Sequence, residues 1–225
     1  MLEENVKNIL EEITGGNPFG EKITLVAATK TQSAETINTA IKSGIEVVAE
    51  NRVQEFREKT DLLLPCRQHF IGHLQSNKIK YIVGKVELIH SVDSIDLATA
   101  INDFAVKKGV TQDILLEINA GEEESKSGFV FGDVENAVRE ITEKCKNVRI
   151  LGLMAMAPIS HDQEYLSGLF KKIRALYDQL KNEGYAFTYL SMGMSEDYKT
   201  AIACGSNTIR LGTALFGKRI YGGNN

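Results

Sequence analysis

Lys30 closes an apolar run, Ile23–Thr29, and a polar stretch, Thr31-Gln32-Ser33, follows it. The run contains no Gly or Pro and is rich in aliphatic and β-branched residues, so it reads as a buried strand. A lysine at the end of such a strand has its stem among apolar neighbours and its amine at the mouth of whatever the strands enclose. Burial disfavours an ammonium, which frees the amine to condense with an aldehyde as a Schiff base. Taken alone, a strand-end lysine more often only snorkels to solvent. The remaining strand ends decide between the two readings.

Two loops near the C-terminus carry a second kind of chemistry. Ser191-Met192-Gly193-Met194-Ser195 follows one apolar run and leads into a helical pattern, Glu196–Ala203. Gly193 lets backbone approach an anion, and Ser195 offers a hydroxyl and a helix cap. Arg210-Leu211-Gly212-Thr213-Ala214 repeats the device after the last apolar run. One such turn usually just caps a helix; two on adjacent loops point to a bound phosphate. A Schiff-base lysine and a phosphate cradle together suggest pyridoxal 5′-phosphate (PLP), its aldehyde at Lys30 and its phosphate on Ser195, Gly212 and Thr213. Arg210 then falls near the pyridine ring, where a permanent cation keeps the ring nitrogen unprotonated and weakens the ring as an electron sink. The competing role for Arg210 is an ion pair with Glu117. Asn51 follows the second apolar run and is placed to bond the ring. His73 leaves the third beside Gly72, where a structural histidine is the commoner case. Met154, with Met156, packs on a flat ring or simply fills the core.

These groups can meet only if the strands carrying them lie side by side. The runs that read as strands are Ile23–Thr29, Glu46–Ala49, His69–Gly72, Glu87–Ser91, Asp113–Asn119, Val148–Met154, Ala186–Ser191 and Thr208–Leu211. Helical patterns lie between them, among them Ser33–Ser43, Ser94–Lys108, Asp133–Cys145 and Gln163–Asn182, and Leu2–Thr14 precedes them all. Strand–helix units repeating every two dozen residues or roughly so require parallel strands joined by right-handed crossovers. An open doubly wound sheet or a closed (β/α)8 barrel satisfies this. Eight units within roughly 200 residues, without Gly-x-Gly-x-x-Gly after the first strand, favour an α/β TIM barrel with an extra N-terminal helix. In such barrels the loops after strands seven and eight commonly cradle phosphate. No linker or composition break divides the chain, so residues 1–225 are expected to form a single domain. Thr213–Asn225 leaves room for a helical turn and a polar tail, and the acidic loop after Asn119 for solvated surface.

The composition of the 225 residues, 43% hydrophobic and 25% charged, is ordinary for a globular protein. A net charge of −4 argues against nucleic acid as partner. No apolar stretch approaches the ~20 residues of a membrane span, and the acidic N-terminus is not a signal peptide. Cys66, Cys145 and Cys204 are far apart, odd in number and without CxxC spacing, so neither a zinc site nor a disulfide framework is indicated. A cytoplasmic location is expected.

The chain resembles the PLP homeostasis proteins, small fold-type III PLP-binding barrels related to the N-terminal domain of alanine racemase. The matching pieces are Ala28–Thr31, Ala49–Glu55, Phe70–Lys78, Lys126–Phe129, Gly152–Met154, Leu190–Ser195 and Ile209–Gly217. Ala28-Thr29 before the lysine departs from the family's usual Val-Ser. The resemblance implies PLP bound covalently to Lys30, phosphate near Ser195, Gly212 and Thr213, and Arg210 beside the ring nitrogen. It implies a protein that holds and delivers PLP, with effects on amino-acid and keto-acid balance, and has no dedicated catalysis. The expected cofactor contacts are Lys30, Asn51, His73, Met154, Ser191, Ser195, Arg210, Gly212 and Thr213, with no catalytic or metal-ligating residue. Apo-PLP enzymes are the expected recipients and a monomer the expected state. The alternative is a fold-type III enzyme such as an amino-acid racemase. That chemistry needs a second base facing the lysine, which in alanine racemases comes from a further domain.

Overall fold

The computed structural model describes residues 1–121 and 127–217. Its strands are β1 (Thr24–Ala28), β2 (Val47–Glu50), β3 (Arg67–Phe70), β4 (Leu88–Val92), β5 (Gln112–Ile118), β6 (Val148–Ala155), β7 (Tyr189–Ser191) and β8 (Thr208–Leu211). They pair in chain order, all parallel, and β8 returns to β1 to close a barrel. Burial on both faces explains their near-continuous apolar runs: β2, β4 and β8 have no exposed position. Alternation still sorts the two faces. Leu25 and Ala27 join the outer layer with Ile37, Ala40 and Leu215, whereas Val26 packs inside with Val47 and Ala49.

The described helices are α1 (Leu2–Ile13), α2 (Ala34–Lys42), α3 (Val53–Lys59), α4 (Ile95–Lys108), α5 (Val134–Lys144), α6 (Gln163–Asn182), α7 (Tyr198–Ala203) and α8 (Thr213–Phe216). Ser33 and Ser94 cap α2 and α4, each accepting the amide three residues on. Asp133 caps no amide through its side chain. The N-terminal helix α1 buries Val6, Ile9 and Ile13 beside Ile209 and Leu215, and Asn5 Nδ2 donates to Leu215 O at 2.9 Å. It thus braces the outside of β8.

The outer layer departs from strict strand–helix alternation in two places. A 3-10 segment, Ser76–Tyr81, replaces a full helix between β3 and β4, and α7 and α8 are short. β7 is shorter than its apolar run, because β7 and β8 pair at Ser191–Thr208 alone. Asn207 supplies the missing pairing with its side chain, accepting from Leu190 N at 2.7 Å and donating to Thr188 O at 2.9 Å. The acidic loop residues 122–126 and the tail residues 218–225 lie outside the described residues.

Candidate functional site

A cavity of about 270 Å³ opens at the C-terminal end of the barrel. It is lined by Lys30 and Ala28 from β1 and its exit, Asn51 and Ile71 beyond β2 and β3, Met156 beyond β6, Met194 to Glu196 beyond β7, and Arg210, Gly212 and Thr213 from β8 onward. A larger cavity of about 350 Å³ lies at the opposite end, around Leu10, Thr24, Val47 and Arg67. That one gathers strand beginnings, where barrels carry stabilising contacts and not chemistry.

Lys30 is half-buried, and the turn beyond it is held under tension. Thr31 has φ +67°, a left-handed conformation that costs a β-branched residue about 1–3 kcal/mol. Its N–H donates to Glu55 Oε2 at 2.7 Å. Lys59 Nζ bridges Glu55 Oε2 at 2.7 Å and Glu50 Oε1 at 2.8 Å and also reaches the Thr29 carbonyl at 3.3 Å. Thr29 Oγ1 completes the knot on Glu50 at 2.6 Å. Burial pushes the Glu55 carboxyl up, but the Lys59 ammonium and the Thr31 N–H outweigh it, so Glu55 titrates below its ordinary range. The lysine's backbone is therefore clamped on both sides.

At the other wall, Ser195 Oγ accepts the N–H of Ala214 at 3.1 Å. The sequence expectation that Ser195 caps its own helix is corrected: α7 begins at Tyr198, and Asp197 stands at its N-terminal boundary without capping it, its side chain accepting Met194 N in the preceding loop at 2.6 Å. The backbone amides of Ser195, Glu196, Gly212 and Thr213 donate to no acceptor among the described residues. Gly193, expected to approach an anion, lies outside the cavity lining. Its φ of +96° and its packing, with an added Cβ 2.9 Å from Tyr198 Cα, give it a structural reason to be glycine. At Gly212 an added Cβ would meet nothing nearer than Ala28 O at 3.4 Å, so the space it would fill belongs to the cavity.

Arg210 is only 5% exposed. Nη1 donates to Ser191 O at 2.8 Å and Ser191 Oγ at 2.7 Å, and Nη2 to Ala155 O at 3.0 Å. Burial lowers it to about 10, against the pull of Glu117 and Asp197. The Glu117 ion pair weighed from sequence is absent from the direct contacts of Arg210, which go to neutral oxygens. Burial, with Asp93, raises the Glu117 carboxyl above its ordinary value.

The cavity thus brings together Lys30, Asn51, Ser195, Arg210, Gly212 and Thr213. Three expected contacts do not line it. Met154 is corrected to a core residue, 1% exposed and packed on Leu88 and Leu115, because β6 runs on to Ala155. Met156, two residues further, reaches the cavity with Met194. Ser191 is wholly buried behind Arg210. His73 lies on the surface, 3.3 Å from Asp93, and lines a neighbouring basic cavity with Arg57, Lys78 and Tyr81 that shares Asn51. Sequence reasoning missed Gln32, Ile71, Glu196 and Phe216 as lining residues; the only signal was their place within or beside the quoted motifs.

The donor set fits a phosphorylated aromatic aldehyde. An amine lies at one strand end, two hydroxyls and four amides without an acceptor among the described residues lie on two loops, and half-exposed Met156 and Met194 supply apolar walls. Asn51 Oδ1 is buried at the same cavity without a partner among the described residues. No cluster of metal-ligating side chains occurs among the described residues, and no described helix is long and apolar enough to cross a membrane.

Comparison with known proteins agrees with this geometry. The alanine racemase N-terminal domain pattern matches residues 2–220. A pyridoxal phosphate homeostasis protein of Aquifex aeolicus is 44% identical over 200 residues, covering 88% of this chain and 87% of that protein. PipY of Synechococcus elongatus, solved with PLP bound, superposes with a TM-score of 0.84 at 31% identity, over 96% of this chain and 100% of that one. An alanine racemase of Clostridium difficile shares the fold alone, with a TM-score of 0.75 at 18% identity. The match covers 96% of this chain and 55% of that one.

Proposed function

The chain belongs to the family of pyridoxal phosphate homeostasis proteins, and from that premise we propose that it holds PLP in the cavity at the barrel's C-terminal end and releases it to apo-PLP enzymes. The observation that carries this reading is one cavity lined by Lys30, Arg210 and the loops of Ser195 and Gly212-Thr213. PLP, when bound, supplies an aldehyde for a lysine amine and an electron-withdrawing ring. Lys30 provides that amine, and the Glu55–Thr31 bond together with the Lys59 bridge fixes where the amine starts from. The four unspent amides and the hydroxyls of Ser195 and Thr213 bind a phosphate dianion by charge-assisted hydrogen bonds. Arg210 presents a cation that cannot act as a base. Met156, Met194 and Ile71 shield the flat ligand from water, and Asn51 offers its unpartnered amide oxygen.

Carriage in place of turnover is supported by the relatives, which are named for homeostasis and not for a reaction. It is also supported by the cavity wall, where no tyrosine stands among the described lining residues to serve as a second base. We further infer a single domain acting as a monomer in the cytoplasm. The test is transfer: PLP-loaded protein is mixed with an apo-aminotransferase, and enzyme activity is followed. Activity should return without free PLP first accumulating. Steady racemisation or deamination of amino acids by the loaded protein alone would instead favour the enzyme.

A further inference from the structure

Behind Arg210, three buried polar side chains run down the inside of the barrel. Ser191 Oγ lies 2.7 Å from Arg210 Nη1 and 3.1 Å from His90 Nδ1. His90 Nε2 lies 3.0 Å from His69 Nδ1, and the two rings are 5.1 Å apart. The β3–β4 register produces this meeting: His69 pairs with Leu88, so His90 lies two residues on and faces the same side. Ser191 and His90 are wholly buried and His69 is 1% exposed. No step of the proposed function uses either histidine.

The donors can be ordered from arginine outward. Arginine only donates, so Ser191 Oγ accepts from Arg210 and keeps its own hydrogen to give. The hydroxyl's remaining neighbour is His90 Nδ1, which must then be the bare nitrogen. His90 carries its hydrogen on Nε2 and donates to His69 Nδ1. His69 is left with its hydrogen on Nε2, an atom buried without a partner among the described residues. The reverse order would strand the Ser191 hydrogen as well as the His69 lone pair, two buried losses in place of one. Burial keeps both rings neutral, His69 pushed down to about 4 and His90 well below its ordinary value.

We propose that Ser191, His90 and His69 are positioning residues for Arg210, joined head to tail in one string of hydrogen bonds that fixes the guanidinium at the cavity wall. This rests on the reading that the cavity holds PLP beside Arg210. Each bond in such a string polarises the next, so the serine lone pair facing Arg210 is stronger and better aimed than that of an isolated serine. Ser191, expected from sequence to touch the cofactor, acts through the arginine instead.

Imidazole ¹⁵N spectra of the cofactor-free protein test the string directly, because the chain has four histidines and His69→Gln and His90→Asn assign the buried pair. His90 should show a bare Nδ1 and a protonated Nε2, and Ser191→Ala should move the Nδ1 signal toward that of a free acceptor. A protonated His90 Nδ1, or an Nδ1 signal indifferent to Ser191→Ala, would overturn the proposal. In the loaded protein, PLP should leave about three- to tenfold faster from Ser191→Ala and His90→Leu. His90→Asn keeps an acceptor toward Ser191 and should restore near wild-type release, which a purely structural role would not do. Equal release from all three variants would overturn the positioning role. Expected imidazole spectra with release unaffected by Arg210→Gln would leave the string standing and refute the cavity reading.

Discussion

Ser195 Oγ accepts the backbone N–H of Ala214 at 3.1 Å, and this bond joins the loop after β7 to the first turn of α8. Ser195 therefore serves both the cradle and the clasp that shapes it, whereas Thr213 lines the cavity from an exposed position. Thr213→Ala should weaken PLP by about tenfold, the worth of one charge-assisted bond, and leave unphosphorylated pyridoxal unaffected. Ser195→Ala should weaken both ligands, and PLP more, because the loops lose their tie. Spectrophotometric titration of the two variants with the two ligands separates these patterns. Equal effects of Thr213→Ala on PLP and pyridoxal would remove Thr213 from the phosphate site.

Two glycines at strand exits should respond oppositely to alanine. At Gly72 an added Cβ would lie 1.8 Å from the Asn51 carbonyl oxygen, where the exits of β2 and β3 cross. Gly72→Ala must push backbone apart and should cost several kcal/mol, on the order of a severe overpacking. Gly212→Ala meets no protein atom within 3.4 Å and should leave the unfolding midpoint nearly unchanged. Its methyl enters the cavity, so PLP affinity should fall. Urea unfolding and PLP titration of both variants check the contrast.

Stability should weaken on mild acidification because of His69. Burial first, then the Arg67 charge, holds its imidazole down to about 4 against an ordinary 6.5, with Glu87 opposing. The folded state then binds fewer protons than the unfolded chain between those values. His69's contribution is complete above pH 6.5 and is lost as pH falls toward 4, by about 3 kcal/mol in all. Urea unfolding from pH 7 to 4.5 should show a flatter dependence in His69→Gln than in wild type. Parallel curves would mean that His69 titrates normally in the fold.

Much of this was legible in sequence because buried parallel strands advertise themselves. Lys30 could be placed since Ile23–Thr29 has no Gly, Pro or charged residue, and Ser195, Gly212 and Thr213 since hydroxyls and glycines cluster right after apolar runs. The failures came where one residue of depth mattered. Met154 and Met156 are alike in type and differ only in whether β6 has ended, which no residue in Gly152–Met156 signals. Ser191 and His73 stand at strand exits like the true lining residues, but one points behind Arg210 and the other out to Asp93. The His69–His90 contact depends on the register of β3 against β4, which sequence periodicity leaves open.

Covalent attachment of PLP to Lys30 is decided by borohydride reduction followed by peptide mapping. Reduction of the loaded protein should fix one PLP per chain on the peptide containing Lys30, with loss of the visible absorption band. Lys30→Ala should stay folded, colourless and unlabelled. Label on Lys59, Lys78 or any other lysine, or a wild-type protein that takes up no label when saturated with PLP, would rule out Lys30 as the attachment site.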